Sequence, residues 1–135
     1  MSNNRITVAV LTRNRPHFLR QGLASILGQG DIELDVLVLD NASTDDTPAV
    51  VAEINDPRIT YLRNEEDVGI VRNWNRAIKL AVHRSPYTCI FHDDDLMLPG
   101  YLSAMTEALH RHPSAGLAVC LCELTRELIF DLSSI

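Results

Sequence analysis

A chain of 135 residues with a formal charge of −6 fits a single domain. That charge argues against a nucleic-acid backbone or an anionic bilayer as the main partner, since both reward clustered Lys and Arg. Hydrophobic residues make up 46% and charged residues 22%, which supplies a core and excludes disordered, collagen-like and coiled-coil classes.

In chain order, Arg5 to Leu11 is a short β-branched apolar run and is expected to be a strand. Pro16 to Leu27 carries Phe18, Leu19, Leu23, Ile26 and Leu27 at helical spacing, with Pro16 suited to the first turn and Gly28 and Gly30 ending the helix. Leu34 to Leu39 is nearly all apolar, the signature of a strand covered on both faces of a parallel sheet. Ser43 or Thr44 is expected to cap a helix running to Ile54. After the Asp56-Pro57 turn, Arg58 to Leu62 predicts a third strand. Val71, Trp74, Ala77, Ile78 and Ala81 recur every three or four residues, which predicts a helix over 68–82. Tyr87 to Phe91 predicts a fourth strand, Pro99 to His110 a fourth helix, and Ala115 to Leu121 a fifth strand. Residues 123–135 form a tail with no cap or turn chemistry to frame it. Repeated strand–helix alternation implies a mostly parallel sheet with right-handed crossovers and helices on both faces.

The cysteines, Cys89, Cys120 and Cys122, lie in apolar stretches and read as buried thiols of a reducing compartment. Cys120-x-Cys122 lacks the second ligand pair that a zinc site needs. No stretch resembles a signal peptide or reaches the roughly 20 apolar residues of a membrane span. The expected location is cytoplasmic, or peripheral at the inner face of a membrane.

Ligands of open α/β sheets bind beyond the carboxyl ends of the strands. The ends of the first four predicted strands are all polar: Thr12-Arg13-Asn14-Arg15-Pro16, then Asp40 to Asp46, then Arg63 to Gly69, then His92-Asp93-Asp94-Asp95. Three adjacent carboxylates repel one another in a cleft, and a hard divalent cation relieves that repulsion. The bland alternative is a solvated loop whose last Asp caps a helix. Asp40-Asn41 taken alone is explained by an Asx turn. His92 is a possible metal ligand or simply a hydrogen-bonded strand end, and Trp74 reads as core while Asn75 and Arg76 reach the cleft or solvent. His17, His83, His110 and His112 form no ligand constellation. The Gly-x-Gly-x-x-Gly and Gly-Lys-Ser/Thr phosphate loops are absent, and no Lys follows Lys79 to complete a phosphoacceptor receiver site.

Together these segments resemble family 2 glycosyltransferases, from Ile6 to Cys120. Thr12-Arg13-Asn14-Arg15-Pro16 is similar to the family's Thr-Tyr-Asn-Arg-Pro, and Val38 to Thr47 is similar to its Val-Val-Asp-Asn-Ala-Ser-Thr-Asp-Gly-Thr. Asn64 with Val68-Gly69 and Asn73 to Arg76 resembles the entry to its third helix, and Phe91 to Asp95 with Pro99 resembles its DxD segment. The resemblance implies a Rossmann-like GT-A three-layer sandwich. It implies a nucleotide-sugar-binding half-domain over 1–122, Mg²⁺ or Mn²⁺ as cofactor, and a nucleotide-sugar donor, a UDP-sugar being favoured. The acceptor would be a glycan or lipid-linked sugar, a homo-oligomer is expected, and no nucleic acid is. By position, Thr12, Arg13, Asn14, Asp40, Asn41, Asp93 and Asp94 would bind the nucleotide, with Asp94 and Asp95 on the metal. Counting back from Pro99, His92 stands where the motif's first Asp falls, and Arg13 stands where an aromatic often stacks on the base. The general base of the family lies well downstream of the DxD segment. Here the later carboxylates are Glu107, Glu123, Glu127 and Asp131, none in a recognisable base position, so the chain reads as a donor-binding part. A non-catalytic nucleotide-binding or interaction module of the same fold is the alternative.

Overall fold

The computed structural model describes residues 5–30 and 32–122. Four strands, β1 (Ile6–Thr12), β2 (Leu34–Asp40), β3 (Ile59–Arg63) and β4 (Tyr87–His92), form one sheet in the order β3-β2-β1-β4. All adjacent pairs are parallel, with Thr12 opposite Asp40, Asp40 opposite Arg63, and Leu11 opposite His92. The helices are α1 (Pro16–Leu27), α2 (Thr47–Ile54), α3 (Ile70–Ala81) and α4 (Tyr101–Arg111).

Strand side chains alternate between faces, and the two cores follow that alternation. Val8, Val10, Val36 and Val38 point to one face and pack with Leu19, Leu23 and Ile26 of α1, Val51 of α2 and Leu102 of α4. Ala9, Leu11, Leu37 and Leu39 point to the other and meet Ala77 and Ala81 of α3, with Trp74 at the margin. The layers are thus helices, sheet and helix, as the alternation of periods predicts.

The order β3-β2-β1-β4 means that the chain steps outward from β1 to β3 and then crosses to the far side of β1. The topological switch point therefore lies between the carboxyl ends of β1 and β4, where such sheets open a ligand crevice.

Local chemistry explains most boundaries. Pro16 opens α1 with its fixed φ. Gly69 (φ 77°) and Gly100 (φ 77°) take left-handed conformations immediately before α3 and α4, so both helices start later than periodicity alone places them. The expected cap of α2 at Ser43 or Thr44 is corrected: the helix begins at Thr47. The Ser43 hydroxyl is drawn to Asp40 Oδ1 (2.6 Å) and the Thr44 N–H to Asn14 Oδ1 (2.8 Å). Asp45 Oδ1 instead accepts from the Thr47 N–H (3.0 Å) and hydroxyl (2.6 Å).

Two further expectations are overturned. Ala115 to Leu121 forms no strand, and Leu117, Val119 and Leu121 are exposed. An apolar run becomes a strand only where a ladder partner and covered faces await it, and the described residues offer this run neither. Cys120 and Cys122 are consequently exposed, not buried; only Cys89, on β4, is partly buried, and burial pushes its thiol up to about 11. The tail 123–135 lies outside the described residues. Among the described residues, no helix is long and apolar enough to cross a membrane.

Candidate functional site

The strand parity that builds the two cores also sorts the polar strand ends. Thr12, Asp40 and Asp93 follow the parity of the α1 side, while Asn41 and Asn64 follow that of the α3 side.

On the α1 side the switch point is closed at its buried end by Thr12 Oγ1, which donates to Asp93 Oδ2 at 2.7 Å. Asp93 is buried, and burial pushes its carboxyl above the usual range. The Thr12 hydroxyl and the Arg15 guanidinium pull it back down, while the charge of Asp94 adds to the push. Arg15 Nη1 lies 2.7 Å from Asp94 Oδ2 and 3.4 Å from Asp93 Oδ1, so one cation faces both carboxylates. The turn that carries them rests on α1, where a Cβ built on Gly22 would stand 3.0 Å from the Asp93 carbonyl oxygen and 3.4 Å from that of Asp95.

One strand over, Asp40 is fully buried. Its Oδ1 accepts from the Ser43 N–H (2.8 Å) and hydroxyl, and its Oδ2 from the Tyr61 hydroxyl. Burial and the adjacent Asp40 carboxylate both hold the Tyr61 phenol far above its ordinary value. The loop after β2 is strained to make this fit: Ala42 has φ 60°, and Asn14, reaching over from the β1 loop, has φ 51°. The Asn14 N–H donates to Ser43 Oγ at 2.9 Å, so the loops after β1 and β2 are tied together.

On the α3 side three buried amides form a chain. Asn64 Nδ2 donates to Asn41 Oδ1 (2.9 Å) and to Asn73 Oδ1 (3.0 Å), and Asn64 Oδ1 accepts from Arg76. The Val68 N–H also reaches Asn41 Oδ1 (3.1 Å), and Asn41 Nδ2 donates to Asp67 Oδ1 (2.5 Å). Asp67 in turn accepts from Arg13, so an ion pair spans the tip of β2 from the β1 loop to the β3 loop.

The structure therefore brings Thr12, Asp93 and Asp94 together, and gathers Arg13, Asn14, Asp40 and Asn41 into the adjoining loop network. Asp95 does not join either group through its side chain; its N–H approaches the His92 carbonyl (3.4 Å). His92 is exposed and its ring lies 5.2 Å from that of Trp74, at 53°. Glu107 is exposed and pairs with Arg111 on α4, as a solvated helix face would. The sequence alone assigns no site role to Arg15, Asn64, Asp67 or Tyr61. Arg15 and Asn64 sit inside the quoted motifs, but nothing in spacing reveals that Arg15 turns toward β4.

Among the described residues, no cluster of three or more Asp, Glu, His or Cys forms a protein-only metal cage. Asp93 and Asp94 offer hard oxygen donors already facing a cation. That donor set fits Mg²⁺ or Mn²⁺, which take one or two protein carboxylates and complete the shell with water and phosphate oxygens.

Comparison with known proteins places the fold in a family. The family model for glycosyl transferase family 2 matches residues 7–122. The GalNAc(5)-diNAcBac-PP-undecaprenol beta-1,3-glucosyltransferase of Campylobacter jejuni is 30% identical over 132 residues, covering 96% of this chain and 42% of that protein. Among solved structures, the mannosyltransferase PcManGT from Pyrobaculum calidifontis, in complex with GDP-Man and Mn²⁺, superposes with a TM-score of 0.77. It is 29% identical, over 88% of this chain and 36% of that one. S. aureus TarS 1–349 in complex with UDP-GlcNAc shares the fold at a TM-score of 0.72 and 23% identity, over 87% of this chain and 37% of that one. The chain spans between 33% and 42% of the length of the first curated relatives it matches. With a GT-A sheet, its switch point lined by Thr12 and Asp93, and a family match over residues 7–122, the chain belongs to glycosyltransferase family 2.

Proposed function

We propose that this chain is the donor-binding part of a glycosyltransferase that moves a sugar from a nucleotide diphosphate to an acceptor hydroxyl with inversion. The observation that carries the reading is the switch point, where Thr12 holds Asp93 and a cation faces Asp93 and Asp94 together. Thr12, Arg13 and Asn14 from the β1 loop and Asp40 and Asn41 from the β2 loop line the nucleotide, with a UDP-sugar the favoured donor. Asp40 is fully buried with the Tyr61 hydroxyl on its Oδ2, so for it to accept a base N–H the surrounding loops must open enough to admit the base. Asp93 and Asp94, the carboxylates that face Arg15 together, would hold Mg²⁺ or Mn²⁺, in place of the expected pair Asp94 and Asp95. When bound, the metal neutralises charge that grows on the leaving diphosphate. The residues present bind and orient the donor; the acceptor, a glycan or a lipid-linked sugar, is met by the remainder of a longer protein or by a partner. Action on a lipid-linked acceptor fits a place at the inner face of a membrane.

Calorimetry of UDP and GDP with Mn²⁺ and with EDTA tests the reading. UDP binds more tightly with Mn²⁺, and Asp94→Ala removes most of that difference. Equal binding in EDTA, or a metal effect that survives Asp94→Ala, overturns it.

A further inference from the structure

The switch point holds a cation of its own. Arg15 stands at the entry to α1 with its side chain half exposed, and only Nη1 is engaged, on Asp94 Oδ2 and Asp93 Oδ1. Among the described residues, Nε and Nη2 make no hydrogen bond to protein, so the guanidinium keeps donors for a further acceptor. These carboxylate oxygens are the ones a divalent cation would use, and two cations on one pair of carboxylates repel each other. A guanidinium is also well matched to phosphate, through its planar fork of N–H groups.

We propose that Arg15 is an exchangeable counter-ion: its guanidinium competes with the divalent metal for Asp93 and Asp94, and passes to the donor diphosphate when the metal takes those carboxylates. The inference rests on the donor-site reading above. It adds that metal and diphosphate bind as a pair, each clearing the way for the other. A diphosphate that draws Arg15 away relieves the metal of a competitor; by linkage, the metal strengthens diphosphate binding by the same factor. Metal alone binds weakly because it must displace Arg15 with nothing to receive it. Arg15 is a positioning residue in this scheme as well as a diphosphate ligand.

The test is Mn²⁺ binding by electron paramagnetic resonance, with and without UDP, in the wild-type chain, Arg15→Gln and Arg15→Lys. Arg15→Gln binds Mn²⁺ alone about two- to fivefold more tightly, the size expected for releasing a half-exposed ion pair. In the same variant, the enhancement of Mn²⁺ binding by UDP shrinks by at least that factor. Arg15→Lys keeps the charge without the fork and falls between the two; it carries the test if Arg15→Gln does not fold, as judged by circular dichroism. If Arg15→Gln leaves Mn²⁺ affinity unchanged or weaker, or keeps the full UDP enhancement, the exchange is wrong while the donor site stands. If the wild-type chain shows no UDP-dependent Mn²⁺ binding, the donor-site reading fails and the exchange fails with it.

Discussion

Asn64 shows how much one buried amide can hold. It is 4% exposed, and its side chain serves Asn41, Asn73 and Arg76 at once, joining the β2 loop, the β3 loop and α3. Removing it leaves the Asn73 carbonyl without its donor, and a stranded buried polar group costs about 1–3 kcal/mol. Asn64→Ala is therefore expected to lower stability by that amount in urea or thermal melts. Asn64→Asp is nearly isosteric but loses the NH₂ and points a carboxylate at two carbonyl oxygens, so it is at least as destabilising; a neutral Asn64→Asp would refute the amide chain as drawn. The opposite rim of the sheet offers a pH signature. Arg84 grips Asp35 through Nε (2.6 Å) and Nη2 (2.8 Å), and Thr7, fully buried, adds a third bond at 3.0 Å. The Arg84 hydrogen bonds, with help from Thr7 and against the cost of burial, hold the Asp35 carboxyl below its ordinary 3.8. A lowered folded-state value stabilises the fold above pH 3.8, and that contribution is lost as the pH falls through the lower folded value. Arg84→Met is expected to cost about 2 kcal/mol near neutral pH and to lose less stability than wild type on further acidification. Parallel acid limbs in the two stability curves would show that Asp35 is not the group responsible.

At the scale of elements, α1 and the acidic turn are fitted to each other through Gly22. A Cβ there would press on the Asp93 carbonyl oxygen at 3.0 Å, tighter than ordinary contact, so the turn must move by a few tenths of an ångström. Ala also favours a helix interior by roughly 1 kcal/mol over Gly, which offsets the crowding. Gly22→Ala is thus expected to keep the melting temperature within a few degrees while weakening Mn²⁺-dependent UDP binding. A large drop in melting temperature with unchanged binding would place Gly22 in the core alone. The same element shows what sequence can and cannot reveal. Period and punctuation locate α1 and β2 nearly to the residue, because Pro16, Gly28 and an unbroken apolar run act locally. They fail for α2, where Ser43 is taken by Asp40 across a loop, and for residues 115–121, where strand formation depends on a neighbour that no local pattern encodes. The site divides the same way. Strand-end position and motif resemblance reach Thr12, Asp40 and Asp93, but the facing of Arg15 on Asp93 and Asp94, and of Asp67 on Arg13, is a tertiary fact.

Across the whole molecule the two faces of the sheet are unequally covered: α1, α2 and α4 share one side, and α3 stands on the other. Val71 and Ile78 of α3, with Val82 just past its end, fall on one exposed flank. Exposed apolar surface of this kind marks interfaces; if copies of this chain meet there, light scattering at rising concentration shows growth beyond a monomer and Ile78→Ser with Val82→Ser reduces it. A steady monomer at high concentration would count against this. The remaining question is turnover. In the proposed reading, donor binding uses the strand ends around Thr12, Asp40 and Asp94, which the parallel sheet carries to one edge. Transfer also needs a base beside the acceptor hydroxyl and a surface that holds the acceptor in line. Glu107 is tied to Arg111 on an exposed face of α4, and the chain corresponds to about a third to two fifths of its curated relatives. Lacking a general base typically costs about 10²–10⁴ in rate, and losing the alignment of the attacking group costs several kcal/mol more. These 135 residues alone are therefore expected to bind a UDP-sugar with Mn²⁺ and to release sugar only slowly, by water attack. Labelled UDP-sugars, Mn²⁺ and a panel of glycan and lipid-linked acceptors give the measurement. Transfer on the order of 1 s⁻¹, an ordinary enzyme rate, would mean that a carboxylate of this chain, or one supplied by an associated copy, already serves as the base.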